Sequence, residues 1–206
     1  MLALWNMHLC LALVVFLLLP LRGRSRAVQF SVLLILLGLG FASVQGLPLV
    51  AYPRALVPEV SIVTLLGLGW AALVRMNVLR PLPGNERVTL LAVLGALGLF
   101  LYPAALGLGA FDPYQLGFGP RVLLIAVGLV ALVLVYFGHW LVVAMFAMAT
   151  LAFSLGVLES ENYWDYLLDP FVVIYCWAAL LARGIGWLVC CAPISGVTDQ
   201  IFRGPA

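Results

Sequence analysis

Seven apolar stretches of about twenty residues divide this chain, and short charged patches separate them. An α-helix rises 1.5 Å per residue, so each stretch is long enough to cross a hydrocarbon layer of roughly 30 Å. Composition supports this interpretation, because 66% of the residues are hydrophobic, 9% are charged and the mean hydropathy is +1.20. A soluble domain carries about 25% charged residues. The sequence therefore predicts an all-α, polytopic bundle of transmembrane helices.

We expect one transmembrane domain over residues 1–206, because the connections are too short to hold a soluble domain. The fifth and sixth helices are joined by little more than two residues, which predicts an antiparallel hairpin. Residues 171–182 alone would rise only about 18 Å. The seventh span must therefore begin at Leu167 or Leu168, run past Arg183, or do both. The expected spans are residues 2–20, 27–45, 57–74, 88–106, 120–137, 140–158 and 167–189.

All ten basic residues are arginine, and their distribution predicts the orientation. Cytoplasmic loops are enriched in arginine. With seven spans, eight arginines fall on one side and only Arg54 and Arg121 on the other, so the N-terminus is expected outside and the C-terminus in the cytoplasm. We take the bacterial inner (plasma) membrane as the expected location. The eight arginines are Arg22, Arg24, Arg26, Arg75, Arg80, Arg87, Arg183 and Arg203.

Several functional classes are disfavoured by what the sequence lacks. The centres of the predicted helices contain no Asp, Glu, Lys or Arg, whereas ion-coupled transporters and pumps usually place ionisable groups there. The four cysteines form no CxxC pair, and the two histidines lie on opposite sides, which argues against a zinc or redox site and a Ser-His-Asp triad. The net charge of +2 is too small to indicate nucleic-acid binding. We expect no cofactor, no metal and no nucleic-acid partner.

The most unusual stretch joins the sixth and seventh helices and reads ESENYWDYLLDP, from Glu159 to Pro170. If it is helical, Glu161, Asp165 and Asp169 share one face at i,i+4 spacing, which costs a few tenths of a kcal/mol per pair unless a cation compensates. The simplest interpretation is an interfacial segment whose aromatic residues join an aromatic belt while its carboxylates face water. The alternatives are a docking surface for a protein or lipid headgroup, and a catalytic or metal-binding site.

The loop before the fifth helix also combines an acid with proline and aromatic residues. Its simplest interpretation is a turn at Asp112 and Pro113 that leads into the helix. The alternative is that Asp112 and Arg121 pair with the acidic segment across the outer surface. We expect Arg121 to pair with a carboxylate of that segment, because few cations are available outside. The candidate partner- or headgroup-binding residues are Glu159, Glu161, Trp164, Asp165, Asp169, Asp112 and Arg121.

These patterns favour a non-catalytic accessory or scaffold subunit of a cell-envelope complex. It would dock a partner protein or a lipid-linked intermediate on its acidic and aromatic outer face. One alternative is a membrane-embedded enzyme that acts on a lipid or lipid-linked substrate, with Glu161, Asp165 or Asp169 in acid/base or metal-binding roles. Another is a component of a transporter that is not ion-coupled. Since the carboxylates are expected at an aqueous edge, Asp165→Asn or Asp169→Asn should damage function and leave the fold intact.

Overall fold

The computed structural model describes residues 5–54, 59–108 and 111–191, with the backbone alone for Val44 and 188–191. The start of the expected first span at 2–4, the start of the third at 57–58 and residues 196–206, which are expected in the cytoplasm, lie outside these ranges. Within them the chain is all-α apart from one small hairpin, as predicted. The long helices are α1 (Trp5–Leu18), α2 (Arg26–Leu39), α4 (Ile62–Arg75), α5 (Gly84–Ala105), α6 (Arg121–Tyr136), α7 (Trp140–Ser154) and α9 (Pro170–Cys191).

Shorter elements connect these helices at their ends. The hairpin of β1 (Ser43–Val44) and β2 (Leu47–Pro48) and the single turn α3 (Ala51–Arg54) follow α2. A 3-10 helix (Pro113–Gly117) precedes α6, and α8 (Tyr163–Leu167) precedes α9. The second predicted span was therefore too long, because α2 ends at Leu39 and the chain then turns through residues with positive φ at Gln45 and Gly46.

Two helices are long and apolar enough to cross a membrane, namely α5 and residues 170–187 of α9. The other five long helices have 14 to 16 residues, which corresponds to about 21–24 Å. Capping accounts for part of this shortening at α4, where the Ser61 side chain accepts a hydrogen bond from the backbone N–H of Thr64 and the helix starts at Ile62. Helix ends are thus set by local hydrogen bonding, whereas apolar length alone predicted longer spans.

The core forms where α4, α5, α7 and α9 meet. α5 packs along α9, α4 packs against α1 and α7, and α2 packs against α1. α6 packs on α7 through the connection at Gly138 and His139, so the predicted antiparallel hairpin is confirmed. For the seventh span, the alternative in which the helix runs past Arg183 is confirmed, because α9 ends at Cys191. The alternative start at Leu167 or Leu168 is not, because α9 begins at Pro170.

Hydrogen bonds sort the helix ends into two groups. Arg75, at the end of α4, donates to the carbonyl oxygens of Phe16 (2.9 Å) and Leu17 (2.6 Å) at the end of α1. Thr89, near the start of α5, lies 3.3 Å from His139 in the α6–α7 connection. We call this end, formed by residues 19–25, 76–83 and 138–139, the arginine-rich end.

The opposite group of helix ends carries most of the candidate residues. The Trp5 indole at the start of α1 donates to the carbonyl of Val157 after α7 (3.4 Å), and Ser61 before α4 contacts Asp169 before α9. We call this end, formed by residues 59–61, 111–120 and 155–169, the carboxylate end. Successive long helices therefore alternate in direction between the two ends.

Candidate functional site

The acidic segment is not one continuous helix. The Asn162 side chain accepts a hydrogen bond from the backbone N–H of Trp164 (2.9 Å) and starts the five-residue helix α8. Leu168 then adopts an extended conformation with φ −137° and ψ 144°, and α9 starts as a separate helix at Pro170. The condition under which Asp165 and Asp169 would share a helical face is therefore not met, because the chain breaks between them.

The aromatic residues of the segment lie inside the protein. Tyr163, Trp164 and Tyr166 are each at most 1% exposed. The Trp164 indole donates to the carbonyl of Pro113 at 2.8 Å, and the Tyr163 hydroxyl forms a 2.6 Å hydrogen bond with Thr150 of α7. An aromatic belt would face the membrane interface, so that interpretation was wrong. Trp164 is also unavailable as a docking residue.

Asp169 is buried, with 4% of its surface exposed. One carboxylate oxygen accepts hydrogen bonds from the Ser61 backbone N–H (3.1 Å) and hydroxyl (2.8 Å). The other accepts from the backbone N–H of Val172 (2.9 Å), which caps the start of α9. The expected aqueous edge is therefore absent at Asp169, and this carboxylate joins the starts of α4 and α9.

Asp165 is partly buried and joins the 3-10 helix to the acidic segment. The Tyr114 hydroxyl donates to its two oxygens at 3.0 and 3.2 Å, and the Ser160 hydroxyl donates at 2.5 Å. Burial, followed by the negative charge of Asp165, raises the pKa of Tyr114 to about 12. Tyr114 therefore remains protonated at neutral pH and keeps its role as a donor.

A glycine allows the 3-10 helix to approach α8 closely. A Cβ at Gly117 would overlap the side-chain amide of Asn162 and lie 2.9 Å from the Trp164 ring. The Asn162 amide nitrogen also donates to the carbonyl of Tyr114 (3.0 Å). Sequence reasoning did not single out Gly117, Asn162 or Ser61, although an Asn immediately before an aromatic helix is a recognisable capping signal.

The arginine that forms an ion pair with the acidic segment is Arg54 rather than Arg121. Arg54 forms an ion pair with Glu159 at 2.6 Å. Among the residues that the structure describes, exposed Arg121 makes no ion pair, so its predicted pairing with the acidic segment was wrong. The Arg54 and Glu159 side chains are 29% and 56% exposed, and such pairs contribute only about 0–1 kcal/mol.

Glu59 is a further member of the carboxylate end. One of its oxygens accepts from the backbone N–H of Glu159 (2.8 Å), while the other is buried and has no partner among the described residues. Burial, and to a smaller extent the nearby charges of Asp165 and Glu159, raises the pKa of Glu59. A carboxylate here is thus held at some cost in free energy, and no local pattern around Glu59 indicates this.

The remaining candidates are exposed. Asp112 accepts from the backbone N–H of Tyr114 (3.0 Å), which confirms the predicted turn at Asp112 and Pro113. Phe118 and Glu161 flank the contact between Gly117 and Asn162. We name the exposed residues Phe111, Asp112, Phe118 and Glu161 the exposed patch.

The carboxylate end therefore consists of an inner layer and an outer layer. In the inner layer, Asp165, Asp169 and Trp164 are engaged in hydrogen bonds that hold helices together. In the outer layer, the exposed patch comprises two phenyl rings and two carboxylates that are open to solvent. Within the described ranges, no group of three His, Cys, Asp or Glu side chains is placed to hold a metal ion. No family model matches this chain, and no curated protein or solved structure shows significant similarity to it.

Proposed function

We propose that this chain is a multi-pass membrane protein in which all seven long helices cross the bilayer, with the carboxylate end outside and the arginine-rich end in the cytoplasm. The exposed sides of the outer helices α2 and α6 support this proposal. Large apolar side chains point outward along α2 and α6, as at Ile35 (60% exposed) and Ile125 (65% exposed). Soluble proteins rarely expose contiguous apolar patches of more than a few hundred Å². Lipid chains supply the apolar surroundings that these exposed sides need.

The five shorter helices are compatible with a membrane of ordinary composition. A helix shorter than the hydrocarbon layer is accommodated by local thinning of the bilayer, at fractions of a kcal/mol per Å. The alternating helix directions fit successive crossings, and arginine enrichment at one end fits the cytoplasmic side. The bacterial inner membrane is part of this proposal.

Within that membrane, the protein acts as an accessory or scaffold subunit of a cell-envelope complex that binds a partner protein through the exposed patch. The observation that carries this proposal is the division of the carboxylate end into a buried or partly buried inner layer that holds helices together and a solvent-exposed outer layer. Phenyl rings such as Phe118 are enriched in protein interfaces, and the carboxylates of Asp112 and Glu161 favour a partner with a basic surface.

An enzymatic role for the acidic segment has less support. A general acid or base must reach the proton that it transfers. Asp169 is buried under hydrogen bonds from Ser61 and Val172, and Asp165 is occupied by Tyr114 and Ser160. Both carboxylates serve the fold, which also weakens the case for binding a lipid-linked intermediate through them.

Site-specific photo-cross-linking tests this role. A photoreactive residue at Phe118 is expected to yield one adduct of defined mass in intact cells. Glu161→Arg should reduce its yield several-fold, because the substitution reverses the charge beside the probe. Glu86→Arg at the arginine-rich end is the matched control and should leave the yield unchanged. Adducts with lipid alone, or equal yields in the two charge-reversal variants, would contradict the docking of a protein partner.

A further inference from the structure

An open cavity of about 460 Å³ lies at the arginine-rich end, between the end of α4 and the starts of α5 and α7. Trp70 of α4 and Trp140, Leu141 and Ala144 of α7 form apolar and aromatic walls. Its size falls within the range of roughly 300–1,000 Å³ that is typical of ligand pockets. The cavity is separate from the carboxylate end and takes no part in the proposed docking.

The rim of this cavity carries an unpaired positive charge. Arg80 lines the cavity, is exposed, and makes no hydrogen bond or ion pair with any residue that the structure describes. Pro81 and Pro83 follow it in the lining and restrict the backbone there. Glu86 also lines the cavity, in the first turn of α5, where the helix dipole favours its negative charge.

Helix dipoles add to the positive potential on the same side. Neither Pro83 before α5 nor His139 before α7 forms a side-chain cap hydrogen bond. The free N–H groups of these first turns carry partial positive charge. An anionic group near Arg80 would therefore meet a full positive charge and two favourable helix ends, opposed by Glu86 alone among the lining residues.

We propose that this cavity binds one anionic phospholipid, with its phosphate at Arg80 and the first part of its acyl chains against Trp70, Leu141 and Ala144. The inference rests on the membrane location proposed above. Apolar walls beside the guanidinium of Arg80 match the two parts of such a lipid, and pockets with basic residues on the cytoplasmic side of membrane proteins bind anionic headgroups. Trp140, exposed at the mouth, is suited to the headgroup level.

Lipid titration of the purified protein in detergent, followed by native mass spectrometry, tests the site. Phosphatidylglycerol is expected to bind at least about tenfold more tightly than phosphatidylcholine, because both lipids carry a phosphate but the choline cation offsets its charge and would lie near Arg80. Arg80→Ala should remove this preference. Arg22→Ala, an exposed arginine at the same end but outside the cavity lining, is the matched control and should retain it. Ala144→Trp fills the cavity while keeping Arg80, and it should weaken binding by a similar factor.

Failure of the proposed lipid site and failure of the proposed membrane location give different results. Extraction of the chain from membranes by alkaline carbonate would reject the location. A chain that resists extraction but binds both lipids equally, or loses selectivity equally in the Arg80 and Arg22 variants, would reject the site alone. Displacement of phosphatidylglycerol by inorganic phosphate would show a free-anion site and overturn the lipid assignment.

Discussion

Trp164→Ala is expected to lower the free energy of unfolding by about 3–5 kcal/mol, the usual cost of removing a buried tryptophan. The side chain is 1% exposed, and its indole donates to the carbonyl of Pro113, so the substitution leaves a cavity and an unpaired acceptor. Because Trp164 joins α8 to the 3-10 helix, the carboxylate end should loosen as a unit. Unfolding of the purified protein by sodium dodecyl sulfate measures the loss.

The matched control is Trp187→Ala in α9. Trp187 is 68% exposed, so its removal leaves no cavity and should change the free energy of unfolding by less than about 1 kcal/mol. A loss for Trp164→Ala as small as that for Trp187→Ala would mean that Trp164 lies at a surface, as the aromatic-belt interpretation assumed.

Asp169→Asn is expected to destabilise the fold by about 1–3 kcal/mol, and Asp169→Ala by about 3 kcal/mol. The carboxylate accepts hydrogen bonds through both oxygens, from Ser61 and from Val172. An asparagine amide has one accepting oxygen, so its NH2 group must face a backbone or hydroxyl donor. Alanine leaves all of these donors without their acceptor. Thermal unfolding in detergent provides the measurement.

Asp112→Asn is the control for this pair of variants. Asp112 is exposed and accepts a single hydrogen bond from Tyr114, which asparagine can also accept. Its melting temperature should stay close to that of the unmodified protein. A double-mutant cycle between Asp169→Asn and Ser61→Ala should show strong coupling. Additivity there, with no loss in Asp169→Asn, would support the original expectation of a carboxylate at an aqueous edge.

The helices were predictable because their signal is local. Every predicted span overlaps one long helix, and the arginines grouped the helix ends correctly wherever contacts test them, as at Arg75. The ends were less predictable, since hydropathy measures apolar length and takes no account of capping. Ser25 and Ser61 offered that information, as hydroxyl residues placed before apolar periodic runs.

The break between α8 and α9 also left a readable signal. An aspartate followed by proline is a typical helix start, with the acid as N-cap and proline at the first helical position. Reading Asp169 and Pro170 in that way predicts a new helix there and removes the shared face with Asp165. The i,i+4 spacing alone favours one continuous helix. The structure instead follows the capping signal, because α8 ends at Leu167 and α9 begins at Pro170.

The burial of the aromatic segment could not be inferred from sequence. Tyrosine and tryptophan combine an apolar ring with a polar atom, so they suit both a membrane interface and a buried position that offers a hydrogen-bond partner. The partners of Trp164 and Tyr163 are Pro113 and Thr150, which lie 51 and 13 residues away in the chain. Likewise, only the tertiary fold shows that Arg54, rather than Arg121, reaches Glu159.

Cysteine accessibility in intact cells tests the proposed membrane arrangement most directly. Single cysteines replace Glu161 and Arg24 in turn, in a background that lacks the four native cysteines. A membrane-impermeant maleimide should label position 161 in intact cells and position 24 only after the membrane is permeabilised. Labelling of both positions in intact cells, or of position 24 alone, would contradict a bundle that crosses the membrane with its carboxylate end outside.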